Sequence, residues 1–194
     1  MKNIHPTSYV GLVMAVLMIC STLLALSGFA RINRANNILL DLYQLRTDIT
    51  SANLALRNAG MSTDHAIREV ELSKMLVTRA SANDIYDRLA AAPLEHSDKV
   101  VVEEMKKERA EYREAQLKVV AHIREGKDIE TWKSMMYYQT LMDRYLGRVD
   151  TLIKHVSICS SKKYSHANAT MLISLVASLA LGACAIKKLY WGPQ

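Results

Sequence analysis

The chain has 194 residues, half of them hydrophobic, with 25 Lys and Arg against 19 Asp and Glu and a formal net charge of +6. Only Lys2, Lys187 and Lys188 of the basic residues, and none of the acidic ones, lie outside Arg31–His166, where the signs alternate. That is a solvated helical surface and excludes a nucleic-acid patch, so no nucleic-acid partner is expected. Cys20, Cys159 and Cys184 leave a single thiol in the charged middle, which excludes an internal disulfide framework.

From Thr7 to Ala30 no side chain is charged, and the same holds from Ala167 to Ile186. About 20 apolar residues in a helix cross a hydrocarbon core of about 30 Å. Only a structure that pairs its own backbone groups can do so. Two transmembrane helices are therefore expected, Tyr9–Ala30 and Ala167–Ile186. The first block can instead be read as a cleaved signal peptide, with Lys2 ahead of it and Gly28-Phe29-Ala30 as the cleavage site. Its apolar run is longer than the usual h-region of about 7–15 residues. The second can be read as a buried core helix, although Lys187 and Lys188 close it as they would at a membrane surface. Residues 1–8 and 187–194 form tails with Lys and no acid, which places both in the cytoplasm and the domain between the blocks outside. That domain is too long for the positive-inside rule to apply cleanly.

Punctuation divides the middle, residues 31–166. Gly60 ends a first stretch and Ser62-Thr63-Asp64 offers N-caps for the next. Pro93 ends the second, followed by Ser97-Asp98. Gly126 ends the third, and Asp128 caps the fourth. This predicts four helices at about 31–59, 63–92, 97–125 and 128–165, with only Gly147 inside one at a cost of about 1 kcal/mol. The first carries a heptad seam at Ala35, Ile38, Leu42, Leu45, Ile49, Ala52, Leu56 and Ala59. The fourth repeats it at Met135, Tyr138, Met142, Tyr145, Val149, Leu152, Val156 and Cys159. Such seams bury one stripe against near-parallel neighbours. The middle helices are less regular, with Tyr86, Met105, Tyr112, Ala115 and Val119 on the inner side. Asp84–Arg88, Glu103–Lys107 and Glu114–Lys118 stand at the spacing of surface pairs.

The expected fold is all-α: an antiparallel up-down four-helix bundle, joined by short turns and continuous with two transmembrane helices. Helices one and four are expected to run unbroken from the apolar blocks, because no breaker stands at Arg31 or His166. Ser174, Ser178 and Gly182 put small residues on one face of the second block, a pattern that permits close helix contact.

Chemistry-bearing motifs are sparse. There is no phosphate-binding glycine loop, no His-Glu-x-x-His and no Cys-x-x-Cys, and nothing places a nucleophile beside a base. The chain reads as a non-enzyme without a cofactor. His155 and Cys159 have a metal-compatible spacing, for which a helical seam position is the ordinary explanation, and His122 and His155 are placed to face each other across a bundle as haem ligands do in some four-helix proteins. Arg57 and Arg68 flank Gly60 and suit an anionic ligand, since guanidinium binds carboxylate in a bidentate fork. Exposed surface charge is the ordinary alternative. Trp132, Tyr137 and Tyr138 suit a pocket lining, with core packing the ordinary role.

The plan resembles the periplasmic sensor region of methyl-accepting chemotaxis receptors of the serine and aspartate type. The architecture matches over nearly the whole chain. Glu108-Arg109-Ala110-Glu111-Tyr112-Arg113-Glu114-Ala115 looks like the family's third helix. The turn Arg124-Glu125-Gly126-Lys127 followed by Trp132 looks like its entry to helix four, and Ala82 to Leu94 like the end of helix two. The resemblance implies a bacterial inner-membrane protein with a periplasmic bundle, a homodimer packed along helix one, and a small-molecule ligand held between helices of two subunits. It also implies chemotactic signal transduction through small displacements of the second membrane helix. Two departures stand out. Arg57 and Arg68 do not reproduce the family's cluster of three helix-one arginines, and the sequence ends at Gln194 without the family's cytoplasmic half. The expected function is a membrane-anchored sensory module, with Arg57, Arg68 and Trp132 as candidate ligand-binding residues, lacking its own output domain and using a separate signalling partner. The alternative is a structural or protein-interaction bundle, a receptor remnant that binds no small molecule.

Overall fold

The computed structural model describes the backbone of residues 6–191, and the side chains of residues 15–183 other than 25, 163, 167, 178 and 181. Much of both tails, and the side chains of Ser178, Cys184, Lys187 and Lys188, lie outside the described residues. Four helices make up the rest: α1 Pro6–Met61, α2 His65–Ala91, α3 His96–Arg124 and α4 Asp128–Trp191. Among the described residues there is no strand, and the chain is all-α. The helices divide between two units, Asn37–Ile158, and the helix ends Met1–Asn36 with Cys159–Gln194.

The turns follow local chemistry. Asp64 caps α2, its carboxylate accepting from the backbone N–H of Ala66 at 2.7 Å and of Ile67 at 3.4 Å. Pro93 follows the end of α2, where its missing N–H can no longer be demanded by the helix. The α3 terminus closes as a Schellman motif, with Lys127 N–H donating to the His122 carbonyl at 3.0 Å and Gly126 N–H to that of Ile123 at 3.2 Å. Gly126 has φ +68°, the left-handed region that a Cβ disfavours.

Two expected boundaries move. Gly60 does not end α1, which continues to Met61. An added Cβ there would sit in ordinary contact with Met135 Cε at 3.4 Å and Thr131 Cγ2 at 3.6 Å, so the glycine faces α4 with room for about a methyl group. α3 begins at His96, with Glu95 at the N-cap and no side-chain cap bond. Ser97 and Asp98 therefore fall inside its first turn, and Asp98 is buried.

In the Asn37–Ile158 unit the four helices share one core. The α1 seam is buried from Leu42 to Ala59 and the α4 seam from Met135 to Val156. Opposite them lie Leu72, Met75, Tyr86 and Leu89 of α2, with Val102, Met105, Tyr112, Val119 and Ile123 of α3. Polar pairs tie the helices outside this core. Arg46 meets Asp150 at 2.7 Å, and further along the same two helices Asn53 meets Gln139 at 3.4 Å. Arg124 meets Glu69 at 3.4 Å, while Arg148 reaches Glu104 at 3.0 Å and Glu108 at 3.4 Å. Of the expected surface pairs Glu114–Lys118 forms, at 2.9 Å. Arg88 instead crosses from α2 to Asp41 of α1 at 2.6 Å.

In the other unit the apolar side chains face outward, Val16, Leu23, Leu24 and Phe29 on α1 and Leu172, Ile173 and Leu179 on α4. Its hydroxyls turn back onto their own helix. Ser21 and Thr22 donate to the Met18 carbonyl at 2.9 and 2.7 Å, and Thr170 to that of His166 at 2.8 Å. Among the described residues, one helical segment, within Ala15–Met61, is long and apolar enough to cross a membrane, with mean hydropathy 1.9 over its most apolar 18 residues. The second apolar block, Ala167–Ile186, is helical throughout.

Candidate functional site

Arg57 and Trp132 come together. With Gly60, Met61, Thr131 and Met135 they line a shallow hollow between α1 and α4. Gly60 forms part of its wall, facing Met135 and Thr131. Its enclosed volume is about 20 Å³, room for one water as the side chains stand.

Arg68 stands apart. Its Nε donates to the Ser62 carbonyl at 2.6 Å and its Nη2 lies 3.9 Å from Asp128, so it holds the α1–α2 turn to the start of α4. Of the three aromatic residues, Tyr138 alone is in the core, while Trp132 and Tyr137 are each 60% exposed. The core role expected for all three thus holds for one, because α4 turns positions 132 and 137 away from its seam.

The histidines also part. His122 bonds Ser134 Oγ at 2.9 Å, and His155 Nδ1 donates to the buried Asp98 carboxylate. Ser134 and His155 are separated along α4 by roughly 30 Å at 1.5 Å per residue, so His122 and His155 do not form a haem-type pair. Among the described residues no group of three His, Cys, Asp or Glu side chains could hold a metal ion.

Sequence reasoning missed a second group. Arg79 of α2 and Arg109 and Arg113 of α3 line one hollow with Asp48 and Ala52 of α1 and Tyr145 of α4. Arg109 donates from Nη2 to Asn83 Oδ1, and its guanidinium lies 4.2 Å above the centre of the Tyr86 ring. The Arg79 guanidinium is pushed below its ordinary pKa, first by burial and then by the positive charges of Arg113 and Arg109. Asp48 sits at the back of the hollow, 6% exposed. Its oxygens accept from Gln44 at 2.7 Å and Ser81 at 2.6 Å.

A signal for this group exists in the sequence. Leu72, Met75, Arg79, Ala82, Tyr86 and Leu89 alternate spacings of three and four, and so do Val102, Met105, Arg109, Tyr112, Gln116, Val119 and Ile123. Arg79 and Arg109 occupy seam positions where a hydrophobic residue is the rule.

The pairing of arginines sharpens the point. The Asn37–Ile158 unit holds ten, and six of them pair with a carboxylate: Arg46, Arg68, Arg88, Arg124, Arg144 and Arg148. Among the described residues Arg57, Arg79, Arg109 and Arg113 make no such pair, and each lines one of the two hollows. Compared with protein-family models, curated proteins and solved structures, the chain matches none.

Proposed function

We propose that this chain is a membrane-anchored sensory module of chemoreceptor type. Its Asn37–Ile158 unit is an antiparallel up-down bundle outside the cytoplasm, the two apolar blocks are transmembrane helices of a bacterial inner membrane, and two copies pair along α1. A small solute binds the bundle and shifts the second membrane helix.

The observation that carries this reading is a second stripe on α1. Leu40, Tyr43, Thr47, Thr50, Leu54, Arg57 and Met61 again alternate three and four, but on the outside of the bundle. Leu40, Tyr43, Leu54 and Met61 are 54–69% exposed, which makes the stripe a surface seam whose far end, at Arg57 and Met61, borders the α1–α4 hollow. Arg46–Asp150 and Asn53–Gln139 pair rising numbers on α1 with falling numbers on α4, which supports the antiparallel arrangement. Outward-facing apolar side chains and back-bonded hydroxyls support the membrane reading of the helix ends.

The test is disulfide trapping in native membranes. With Cys20, Cys159 and Cys184 changed to serine, Leu54→Cys is expected to give a covalent dimer on mild oxidation. Recovery of monomer alone would sink the paired receptor. A second reading has its own observation: α2 exposes Ile67, Val70 and Val77, a surface suited to a partner protein. In that reading the bundle binds no small molecule, and a broad panel of amino acids, organic acids and inorganic ions leaves its melting temperature unmoved.

A further inference from the structure

We infer that the hollow where α2 and α3 meet α1 is a binding site for a small dicarboxylate, gripped by Arg79, Arg109 and Arg113 inside a single bundle. This deepens the sensory reading and rests on it. It also differs from the site between two subunits that the chemoreceptor resemblance implies.

Arg79 and Arg109 stand in core seams of neighbouring helices, and the turn between those helices lies nearly midway between them in sequence. A hydrophobic residue at either place would pack the bundle better. Side chains that break the packing rule at one level on two helices mark a place where stability has been given up for function.

Three guanidiniums surround the hollow and one carboxylate, Asp48, shares it. Asp48 makes no ion pair within 4 Å of any of the three, and its oxygens are engaged by Gln44 and Ser81. The surplus is two positive charges in a partly desolvated place, where a dianion is the complement. Carboxylate suits the fork of guanidinium better than a spherical anion does, because two N–H groups meet two oxygens.

The enclosed volume is about 20 Å³, so a four-carbon acid enters only if guanidinium ends swing aside. Arg79, Arg109 and Arg113 are all half-buried on long flexible stems, and Arg79 and Arg113 have no hydrogen-bond or ion-pair partner among the described residues to hold them. Tyr112 and Tyr145 form a rigid back wall that is buried and stacked at 5.8 Å. Binding that draws the arginines inward would pull α2 and α3 together against that wall.

The experiment is calorimetric titration of the full chain in detergent with succinate, malate and citrate at low ionic strength. Saturable binding of at least one acid is expected. Arg79→Gln and Arg113→Gln are each expected to weaken it at least tenfold while melting at or above the wild-type temperature, since each removes a repelling charge. Arg113→Lys, which keeps the charge and loses the fork, also weakens it. Lys118→Gln, in a surface pair elsewhere on α3, leaves it unchanged. Absence of binding by all three acids overturns the site. So does unchanged affinity in both glutamine variants, above all if both melt lower, which would assign the arginines to packing. The trapping test separates the two proposals. A trapped dimer that ignores all three acids removes the dicarboxylate site and leaves the sensory module, whereas a monomer that binds succinate through Arg79 does the reverse.

Discussion

The Tyr138 hydroxyl donates to the Tyr112 hydroxyl at 3.4 Å, tying α4 to α3 through the middle of the core. The two rings stack at 5.3 Å, and Tyr145 stacks on the other side of Tyr112 at 5.8 Å. Burial raises the pKa of all three phenols above the ordinary value of 10. In the unfolded chain they ionise near pH 10, while in the bundle they stay protonated. Their contribution is complete below about pH 10 and falls as the pH rises further, by about 1.4 kcal/mol per unit for each phenol and about 4 kcal/mol for three. An alkaline unfolding transition is expected, with part of the tyrosine ionisation, read by ultraviolet absorbance, appearing only as helicity is lost. Smooth ionisation of every tyrosine before any loss of helicity would contradict the buried stack.

Two glycines predict opposite signs. Gly147 is helical and exposed, and an added Cβ would meet nothing within 4 Å. Gly147→Ala is expected to stabilise the protein by about 0.5–1 kcal/mol, because alanine loses less backbone freedom in a helix. Gly126 has equal space but a φ of +68°. Gly126→Ala is expected to destabilise by about 1–2 kcal/mol through strain alone. Thermal melts of the two variants should bracket the wild type, and a fall for Gly147→Ala would mean that α4 is not a regular helix at that point.

Asp98 and His155 form the third case. The Asp98 side chain is 4% exposed, in the first turn of α3, where the helix N-terminus favours an anion. His155 supplies its side-chain hydrogen bond. His155→Ala leaves a buried carboxylate without that donor and is expected to cost about 1–3 kcal/mol. His155→Asn, which restores an N–H in similar reach, is expected to recover part of the loss. Equal melting temperatures for the alanine variant and the wild type would show that the pair carries no stability.

The first and fourth helices were legible because their seams repeat at the coiled-coil period, and the middle two because the turns around them carry Asp64, Pro93 and Gly126, each with a local physical reason to stop or start a helix. Two signals misled. Gly60 reads as a terminator along the chain, whereas α1 runs on through it to Met61, with Met135 and Thr131 facing it from α4. Arg88 reads as the i,i+4 partner of Asp84, whereas the neighbouring helix offers Asp41. Both depend on a partner helix that no single-helix pattern contains. The arginine hollow was missed for a related reason. A charge on an amphipathic helix is normally solvent-facing, and only the seam register of Arg79 and Arg109 distinguishes them from surface residues. The Arg57–Trp132 hollow was half legible, since those two meet while Arg68 is spent on the Ser62 carbonyl.

The outer stripe of α1 supplies the last prediction. Leu54 is 59% exposed in the single chain, so Leu54→Glu should change the stability of an isolated bundle by no more than about 0.5 kcal/mol. A twofold dimer changes that arithmetic, because the same residue then lies on both faces of the contact. Each subunit would lose the burial of a leucine, about 1.5–3 kcal/mol, and two carboxylates would be brought together. Light scattering of the detergent-solubilised protein should therefore show a dimer for the wild type and a monomer for Leu54→Glu at the same concentration. Val77→Glu, on the exposed face of α2, should leave the dimer intact. If Val77→Glu breaks association and Leu54→Glu does not, the contact surface is α2, and the partner-binding reading of the bundle takes precedence over the receptor-like pair.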